Sequence, residues 1–286
     1  MLLIITEIIL FFTEDFLSKD IQHLKSIDNI TKENNEMIII GNSLTRKGIN
    51  ETLLIKNLKT NKTNYKKAGI IYLDDTSIIE WYYVFKSYFY ENDIIPKKLI
   101  INFALNQLRT PELEFEELSR IASYVPIKKL YATCEQETLN FSQKIDLYLA
   151  KFFRIFCHRE RISKRVLDLI PNYRSTIRKL NVYNKPKKKY FKNNHDYRHL
   201  DKIIEMVEIA GIELIFCAMP LPESYTIDKK IISIIKGSDN CTIIGFNEDN
   251  YFTDYHFVDG YHLNPEGAQL FTESFADMIS NKVSQF

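Results

Sequence analysis

The sequence predicts an α/β fold in which helices cover both faces of a parallel β-sheet. Short runs of β-branched and aromatic residues, bounded by turn residues, recur along the chain and are typical of strands. Several of these runs are apolar without alternation, as expected for strands buried on both faces. Segments with helical periodicity separate the runs, and this order favours parallel strands joined by crossover helices.

Five such runs are predicted to be strands of one sheet. The predicted strands are Met37–Gly41, Gly69–Leu73, Lys98–Phe103, Ile212–Cys217 and Cys241–Phe246.

Three segments predict helices around this sheet. Residues 76–92 are apolar around most of the helical wheel, so this helix should be packed on both sides. Residues 200–211 are amphipathic and end at Gly211, a residue favoured just after a helix. The last helix should begin with Asn264 as its N-cap and Pro265 at its first position.

The segment from about residue 110 to 200 interrupts the alternation and is predicted to be a mostly helical insertion. A chain of 286 residues is compatible with one α/β domain carrying an insertion, or with two domains. We predict a single domain over residues 1–286, with a helix at about 1–20. Apolar residues make up 45% of the chain and charged residues 26%, which argues against disorder.

The N-terminal stretch MLLIITEIILFF is apolar but shorter than the roughly 20 residues of a membrane span, and Glu7 interrupts it. It also lacks the basic region and cleavage site of a signal peptide. We therefore predict an amphipathic or interfacial helix, which leaves membrane association open. The four cysteines have the spacing neither of a zinc site nor of a disulfide framework, so we predict no metal and no cofactor.

Positive charge is concentrated in residues 151–200. This stretch contains fifteen Lys and Arg against three acidic residues, in a chain whose formal net charge is +1. Such a run is often only a solvated surface; the alternative is a face for phospholipid head groups or an acidic polymer, with Lys187, Lys188 and Lys189 in its densest part. No nucleic-acid motif accompanies it, so specific nucleic-acid binding is not predicted. His195 and His199 should lie in this basic loop at the surface.

A serine follows the first predicted strand. Asn42 and Ser43 come directly after Gly41, at the carboxyl edge of the sheet, where α/β proteins place their chemistry. Both residues are also good N-caps, so the alternative is that they only cap the next helix. This stretch alone does not decide between the two interpretations.

An Asp-x-x-His pattern precedes the last predicted helix. Asp259 and His262 are three residues apart on a predicted turn, so the carboxylate can contact the imidazole and fix its tautomer. The loops after the first and last strands of a parallel sheet open at the same edge, so His262 can reach Ser43. We predict Ser43 as a nucleophile, His262 as its base and Asp259 as the group that orients the base. His256 has an aspartate only two residues before it and no cap after it, and is not predicted to take part.

In the order of these motifs the chain resembles the SGNH or GDSL-like hydrolases. GNSL, Gly41–Leu44, is similar to their G-D-S motif with Asn for Asp, and Asp259–His262 matches their D-x-x-H motif. ALNQ, Ala104–Gln107, is similar to their G-x-N-D motif and keeps only the asparagine. The glycine of their second motif has no counterpart, since Asp74 and Asp75 follow the second strand. The likeness covers the strands over most of the chain but not the insertion.

The resemblance implies a flavodoxin-like three-layer sandwich and a serine esterase or O-acyltransferase. It also implies an oxyanion hole formed by the backbone N–H of Ser43 and the side-chain amide of Asn106. Arg46, near the nucleophile, could hold a substrate anion or be an ordinary first-turn surface residue. The two best-matching stretches look most like the DltD-like and alginate-acetylation-like branch, whose members act on acyl groups in cell-envelope polymers.

Two functions therefore remain as predictions. The first is a serine esterase or O-acyltransferase acting on an acylated carbohydrate or envelope-type substrate. The second is a non-catalytic binding module that keeps the same frame, holds an anionic polymer or membrane through the basic insertion, and assists a separate acyltransferase. The G-x-S-x-G motif of α/β-hydrolases and the glycine-rich motifs of nucleotide-binding folds are both missing.

Overall fold

The computed structural model describes residues 5, 7, 8, 10–12, 19–33, 35–60, 67–158, 171–172, 195–246 and 251–281. The chain divides into two compact units. One, the sheet unit, comprises His23–Pro111 and Tyr197–Phe286, and the other, the helical unit, comprises Met1–Gln22 and Glu112–Asp196.

The sheet unit is built on five parallel strands in the order β2-β1-β3-β4-β5. This is the strand order of the doubly wound, flavodoxin-like arrangement, and it confirms the predicted α/β fold with a parallel sheet. Each predicted strand overlaps an observed one, and the ends differ by at most one residue. The strands are β1 (Met37–Gly41), β2 (Ala68–Tyr72), β3 (Lys98–Phe103), β4 (Glu213–Ala218) and β5 (Cys241–Gly245).

Helices form most of the rest of the described chain. In chain order they are α1 (Lys19–Lys32), α2 (Ser43–Gly48), α3 (Glu51–Thr60), α4 (Ile78–Val84), α5 (Phe115–Tyr124), α6 (Leu130–Gln136), α7 (Phe141–Phe152), α8 (Arg154–Cys157), α9 (Arg198–Ala210), α10 (Lys229–Lys236) and α11 (Pro265–Asn281).

Both faces of the sheet are covered, because alternate strand residues point in opposite directions and every residue of the central strands β1 and β3 is buried. Ile39 and Ile100 belong to a core with the α3 and α11 side chains, including Leu54 and Phe271. The intervening strand residues, such as Ile38, point the other way and are buried as well. The continuous apolar strands of the sequence thus correspond to strands buried on both faces.

The predicted helix at residues 76–92 is packed on both sides, as expected. Every residue of α4 is buried, and Trp81 donates its indole N–H to Thr76 at 2.9 Å. The helix continues as a π-helical turn, Phe85–Phe89, and a 3₁₀ turn, Tyr90–Asn92, which the periodicity did not predict.

The two predicted helix ends are confirmed. α9 ends at Gly211, whose φ of +67° is the left-handed conformation that glycine adopts at low cost. α11 begins after Asn264, whose Oδ1 accepts the N–H of Gly267 at 2.8 Å.

The expectation of a surface role for His199 is wrong. α9 already begins at Arg198, and this places His199 on the inner face of a helix with none of its surface exposed. Its Nδ1 lies 3.0 Å from the hydroxyl of Thr110, and its ring contacts that of Tyr82. The loop that the basic composition predicted therefore ends earlier than residue 200.

The helical unit contains α5 to α8. The apolar residues of α5, including Leu118 and Ile121, are buried, as is Leu147 of α7. Lys151 donates from Nζ to the carbonyl oxygens of Ala122 and Val125 at the end of α5. Burial lowers the pKa of this amine.

Part of the predicted insertion and of the N-terminal helix can be described. Residues 5, 7, 8 and 10–12 have helical backbone, and α5 to α8 cover much of residues 115–157. Lys187, Lys188 and Lys189 lie outside the described residues. No helix in the described ranges is long and apolar enough to cross a bilayer.

Candidate active site

The site lies at the carboxyl edge of the sheet, where β1 and β3 meet. In a doubly wound sheet of this strand order, the connections after these two strands leave in opposite directions and open a crevice between them. Ser43 is the second residue after β1, and Asn106 lies in the turn after β3.

Ser43 is held at the first position of α2. Asn42 is the N-cap of this helix, and its Oδ1 accepts the N–H of Leu44 at 3.0 Å. Gly41 permits the close turn: a Cβ on this residue would lie 1.9 Å from the hydroxyl oxygen of Thr45. Capping is thus the role of Asn42, and the Ser43 hydroxyl is left for another partner.

Asp259 and His262 form a compact local turn. Asp259 Oδ1 accepts the backbone N–H of Tyr261 at 3.1 Å and of His262 at 2.8 Å, while Gly260 adopts a positive φ of 72°. Asp259 Oδ2 lies 2.8 Å from His262 Nδ1. The three-residue spacing therefore brings the carboxylate against the imidazole, as the sequence predicts.

His262 joins this turn to Ser43. Its Nε2 lies 3.0 Å from Ser43 Oγ, which confirms the predicted proximity of residues 219 positions apart. A carboxylate can only accept, so His262 Nδ1 carries the proton toward Asp259. Nε2 is then the acceptor for the Ser43 hydroxyl proton, which is the tautomer that a serine nucleophile needs.

The charge of Asp259 is well defined although its side chain is 52% exposed. The backbone N–H of His262, followed by the imidazole of the same residue, lowers the pKa of Asp259 to about 2. The carboxylate therefore stays ionised throughout the range in which an imidazole can act as a base.

The loop that carries His262 is closed by backbone contacts. Phe257 and Leu263 form an antiparallel bridge, and the N–H of Val258 donates to His262 O at 2.9 Å. His256, which was not predicted to take part, accepts the N–H of Thr253 at its Nδ1. The contact of His256 is thus with a residue of its own turn, in agreement with the sequence-based expectation.

Arg46 binds a carboxylate of its own chain. Its Nε and Nη2 donate to the two oxygens of Asp74, at 3.1 and 2.8 Å. Asp74 follows β2 in the turn where the resemblance leads one to expect a glycine. The Leu73 N–H donates to the Gly41 carbonyl at 2.9 Å, so this turn lies beside the end of β1. The paired Arg46 offsets the charge of Asp74 close to Ser43.

Asn106 lies on the same edge as Ser43 and His262. It is exposed, and no hydrogen bond of the described residues joins its side chain to Ser43 or His262. The preceding residue, Leu105, has a positive φ of 52°. The Gln107 side chain fixes this turn by accepting the Ala104 N–H at 2.8 Å.

Strained backbone accumulates around the site. Asp75 has a φ of +58° in the turn after β2, so two non-glycine residues at this edge adopt the left-handed region. Such conformations cost about 1–3 kcal/mol each and are concentrated at functional sites.

Sequence reasoning missed two tyrosines and an ion pair near this edge. Tyr261 stands edge-on to the His262 ring at 5.1 Å, and burial followed by the Asp75 charge raises its pKa. Tyr225 donates its hydroxyl to the Met219 carbonyl at 2.7 Å. Tyr261 could have been noticed within the D-x-x-H motif, whereas Tyr225 has no local signal.

The missed ion pair joins the turn after β3 to the loop after β4. Arg109 donates from Nη2 to Asp228 at 2.6 Å, and Tyr197 donates its hydroxyl to the same oxygen. The pKa of Asp228 is lowered to about 2, and the hydrogen bond from the Tyr197 hydroxyl contributes most to this shift. No sequence signal links these residues, because they are far apart in the chain.

Among the described residues, no group of three or more His, Cys, Asp and Glu side chains could hold a metal ion. At the sheet edge, His262 lies between the hydroxyl of Ser43 and the carboxylate of Asp259. A comparison with models of known protein families finds no match to the chain, and a search of curated proteins finds no match either.

Proposed function

We propose that this protein is an SGNH-type serine esterase or O-acyltransferase that uses Ser43, His262 and Asp259. The observation that carries this proposal is the continuous chain of contacts from Asp259 through His262 to Ser43, at 2.8 and 3.0 Å. A histidine whose far nitrogen faces a serine hydroxyl is the arrangement that activates serine toward carbonyl carbon.

The first half of the reaction forms an acyl-enzyme. Ser43 Oγ attacks the carbonyl carbon of an ester while its proton passes to His262 Nε2. Asp259 stabilises the imidazolium through Nδ1–H and does not itself take a proton. The tetrahedral intermediate then collapses, the C–O bond to the leaving alcohol breaks, and His262 returns the proton to that alcohol.

The second half of the reaction decides between hydrolysis and transfer. Water or the hydroxyl of an acceptor gives its proton to His262 and attacks the acyl carbon. The resulting tetrahedral intermediate collapses, the bond from the acyl carbon to Ser43 Oγ breaks, and His262 returns the proton to Ser43 Oγ. The same triad serves both outcomes, which differ only in the nucleophile admitted to the site.

The negative charge of the tetrahedral intermediate needs fixed donors. The Ser43 N–H is one candidate, since donors in the first turn of a helix have no acceptor within that helix. The Asn106 amide is the second candidate, on the strained turn after β3. Each such donor typically contributes about 10²- to 10³-fold in rate.

An acylated carbohydrate or another envelope-type polymer is the proposed substrate class. This part of the proposal rests on the resemblance of the GNSL and DGYH stretches to one branch of the superfamily. A non-catalytic binding module remains the alternative. It predicts the same fold with a Ser43 that does not react with esters or probes.

A fluorophosphonate probe distinguishes the two functions. We expect the folded protein to be labelled at Ser43, and Ser43→Ala to abolish both labelling and the hydrolysis of p-nitrophenyl acetate. His262→Gln should also abolish labelling, whereas His256→Gln in the same loop should retain it. A folded wild-type protein that is neither labelled nor active toward small esters would support the binding module.

A further inference from the structure

Large apolar side chains are exposed mainly on the helical unit. Nine of the fifteen such residues in the described ranges belong to it, although the sheet unit contributes most of the described residues. They are Ile5, Ile8, Phe11, Phe12, Ile127, Tyr131, Phe141, Ile145 and Phe152.

Three of them form a stripe along α7. Phe141, Ile145 and Phe152 follow each other at intervals of four and seven residues and are 80%, 42% and 53% exposed. Tyr148 lies between them on the same side of the helix and stacks on Phe152, with ring centroids 6.3 Å apart. The opposite side of α7 carries the buried Leu147. A helix with one face on a core is normally polar on the other, so the α7 stripe, residues 141, 145, 148 and 152, needs an explanation.

The N-terminal helical residues add a second exposed apolar face within the same unit. Ile5, Ile8 and Phe12 are spaced as on one side of a helix, and all are exposed. Glu7 fixes this segment, because its carboxylate accepts the N–H groups of Arg154 and Ile155 at 2.9 Å each. Since α8 begins two residues after Phe152, the segment is held at the end of the α7 stripe.

The charge of the sequence after α8 indicates what kind of partner binds the exposed apolar residues of the helical unit. Residues 159–196, which follow α8 in the sequence, contain twelve Lys and Arg against three acidic residues. Lys128 and Lys129 are exposed between the exposed Ile127 and Tyr131. Aromatic and aliphatic side chains accompanied by basic residues match the interface of an anionic bilayer, where rings enter the acyl boundary and lysines reach lipid phosphates.

We propose that the helical unit binds the surface of an anionic lipid bilayer through the α7 stripe and the N-terminal apolar residues. A hydrated acidic polymer would pair with the lysines but would leave Phe141 and Ile145 in water. A second copy of the chain would carry the same excess of Lys and Arg over residues 159–196, and like charges oppose its association with the first. This proposal concerns attachment and is independent of the chemistry at Ser43.

Vesicle binding of the full chain tests the proposal. We expect cosedimentation with vesicles of mixed phosphatidylcholine and phosphatidylglycerol, but little with phosphatidylcholine alone. Binding should fall as salt rises, since exposed charges are screened beyond about 8 Å at physiological ionic strength. Replacing Phe141, Ile145 and Phe152 together by Ser should lower the partition coefficient more than about tenfold.

A matched control is available in the sheet unit. Ile209 and Tyr251 are exposed to a similar degree, 69% and 54%, so each replacement by Ser removes about as much apolar surface as one replacement in the stripe. This control variant should bind as the wild type does. All the substituted side chains are exposed, and thermal denaturation should show that both variants remain folded.

A tryptophan introduced into the stripe reports insertion directly. Trp81 is fully buried, so its emission should not respond to vesicles. In the Phe141→Trp variant, emission should shift to the blue and be quenched by brominated lipid, whereas the Ile209→Trp variant should show neither effect. Ser43→Ala should bind vesicles normally, which separates this test from that of the proposed function.

Three outcomes would overturn the proposal. The first is equal vesicle binding by the triple variant and the wild type, and the second is emission from the Phe141→Trp variant that brominated lipid leaves unchanged. The third is a wild-type dimer that the triple variant converts to a monomer, because this result would assign the stripe to a second copy of the chain.

Discussion

The ion pair between Arg46 and Asp74 leads to a prediction about charge near the nucleophile. The Arg46 and Asp74 side chains are only 30% and 23% exposed, and the Asp74 turn lies beside the end of β1. If catalysis builds negative charge on the substrate oxygen at Ser43, an unpaired Asp74 should oppose it. Arg46→Met keeps the length of the side chain and removes the compensating charge.

The expected loss follows from Coulomb's law. For a partly buried pair an effective dielectric constant of about 20 is appropriate, and two unit charges about 8 Å apart then repel by about 2 kcal/mol. That corresponds to about a 30-fold decrease in kcat/KM. Asp74→Asn alone removes the repelling charge and should change kcat/KM by less than about threefold. Combining it with Arg46→Met should recover most of the loss.

The assay is hydrolysis of a neutral p-nitrophenyl ester by the wild type, the two single variants and the double variant. Lys47→Met removes the neighbouring exposed positive charge, so it controls for the effect of losing any cation in this helix. Wild-type activity in Arg46→Met, or a double variant no better than Arg46→Met, would refute the compensation argument. If Arg46 instead binds a substrate anion, the defect should appear as a raised KM for acidic esters and persist in the double variant.

Two further predictions concern the turns that build the site. Asp259→Asn keeps an acceptor for the backbone N–H groups but cannot accept from His262 Nδ1, so kcat should fall by about 10⁴-fold while the thermal unfolding temperature changes little. Because the pKa of Asp259 is lowered to about 2, the carboxylate should keep its charge and its contact with His262 as the solution is acidified, and lose them only near pH 2. The carboxyl NMR resonance of Asp259 should follow this titration. A midpoint near the ordinary value of about 3.9 would contradict the prediction. Gly41→Ala places a methyl group 1.9 Å from Thr45 Oγ1, so it should cost about 1–3 kcal/mol of unfolding free energy by urea denaturation and also reduce turnover. Adding Thr45→Ala to Gly41→Ala should restore part of the lost unfolding free energy. A Gly41→Ala protein with unchanged stability would show that α2 can move to accommodate the methyl group.

Local signals in the sequence predicted the sheet well. β3 was predicted without error, because a buried apolar run between turn residues has few alternatives to a central strand. The ends of β2, β4 and β5 were displaced by one residue, since they depend on pairing with neighbours; Ala68 of β2, for example, pairs with Met37. The caps at Gly211 and Asn264 were predictable because each acts within a single helical turn.

The site was predictable where its contacts are local or follow from topology. Asp259 meets His262 within one turn, and the parallel sheet brings His262 to Ser43. The pairing of Arg46 with Asp74 depends on how two turns approach each other, and no periodicity encodes that distance. The burial of His199 was missed for a different reason: the basic composition around it suggested a loop, but the helix boundary lies two residues earlier than expected.

The 3.0 Å contact between Ser43 and His262 has a consequence for the folding of the chain. The contact between Asp259 and His262 can form within a few neighbouring residues, whereas Ser43 is 219 positions away from His262 in the chain. Before β1 is paired and the loop after β5 has closed, Ser43 and His262 cannot meet. If the protein acts as proposed, its reactivity therefore arises only when the native state is complete, and a partly folded chain has no hydrolytic activity.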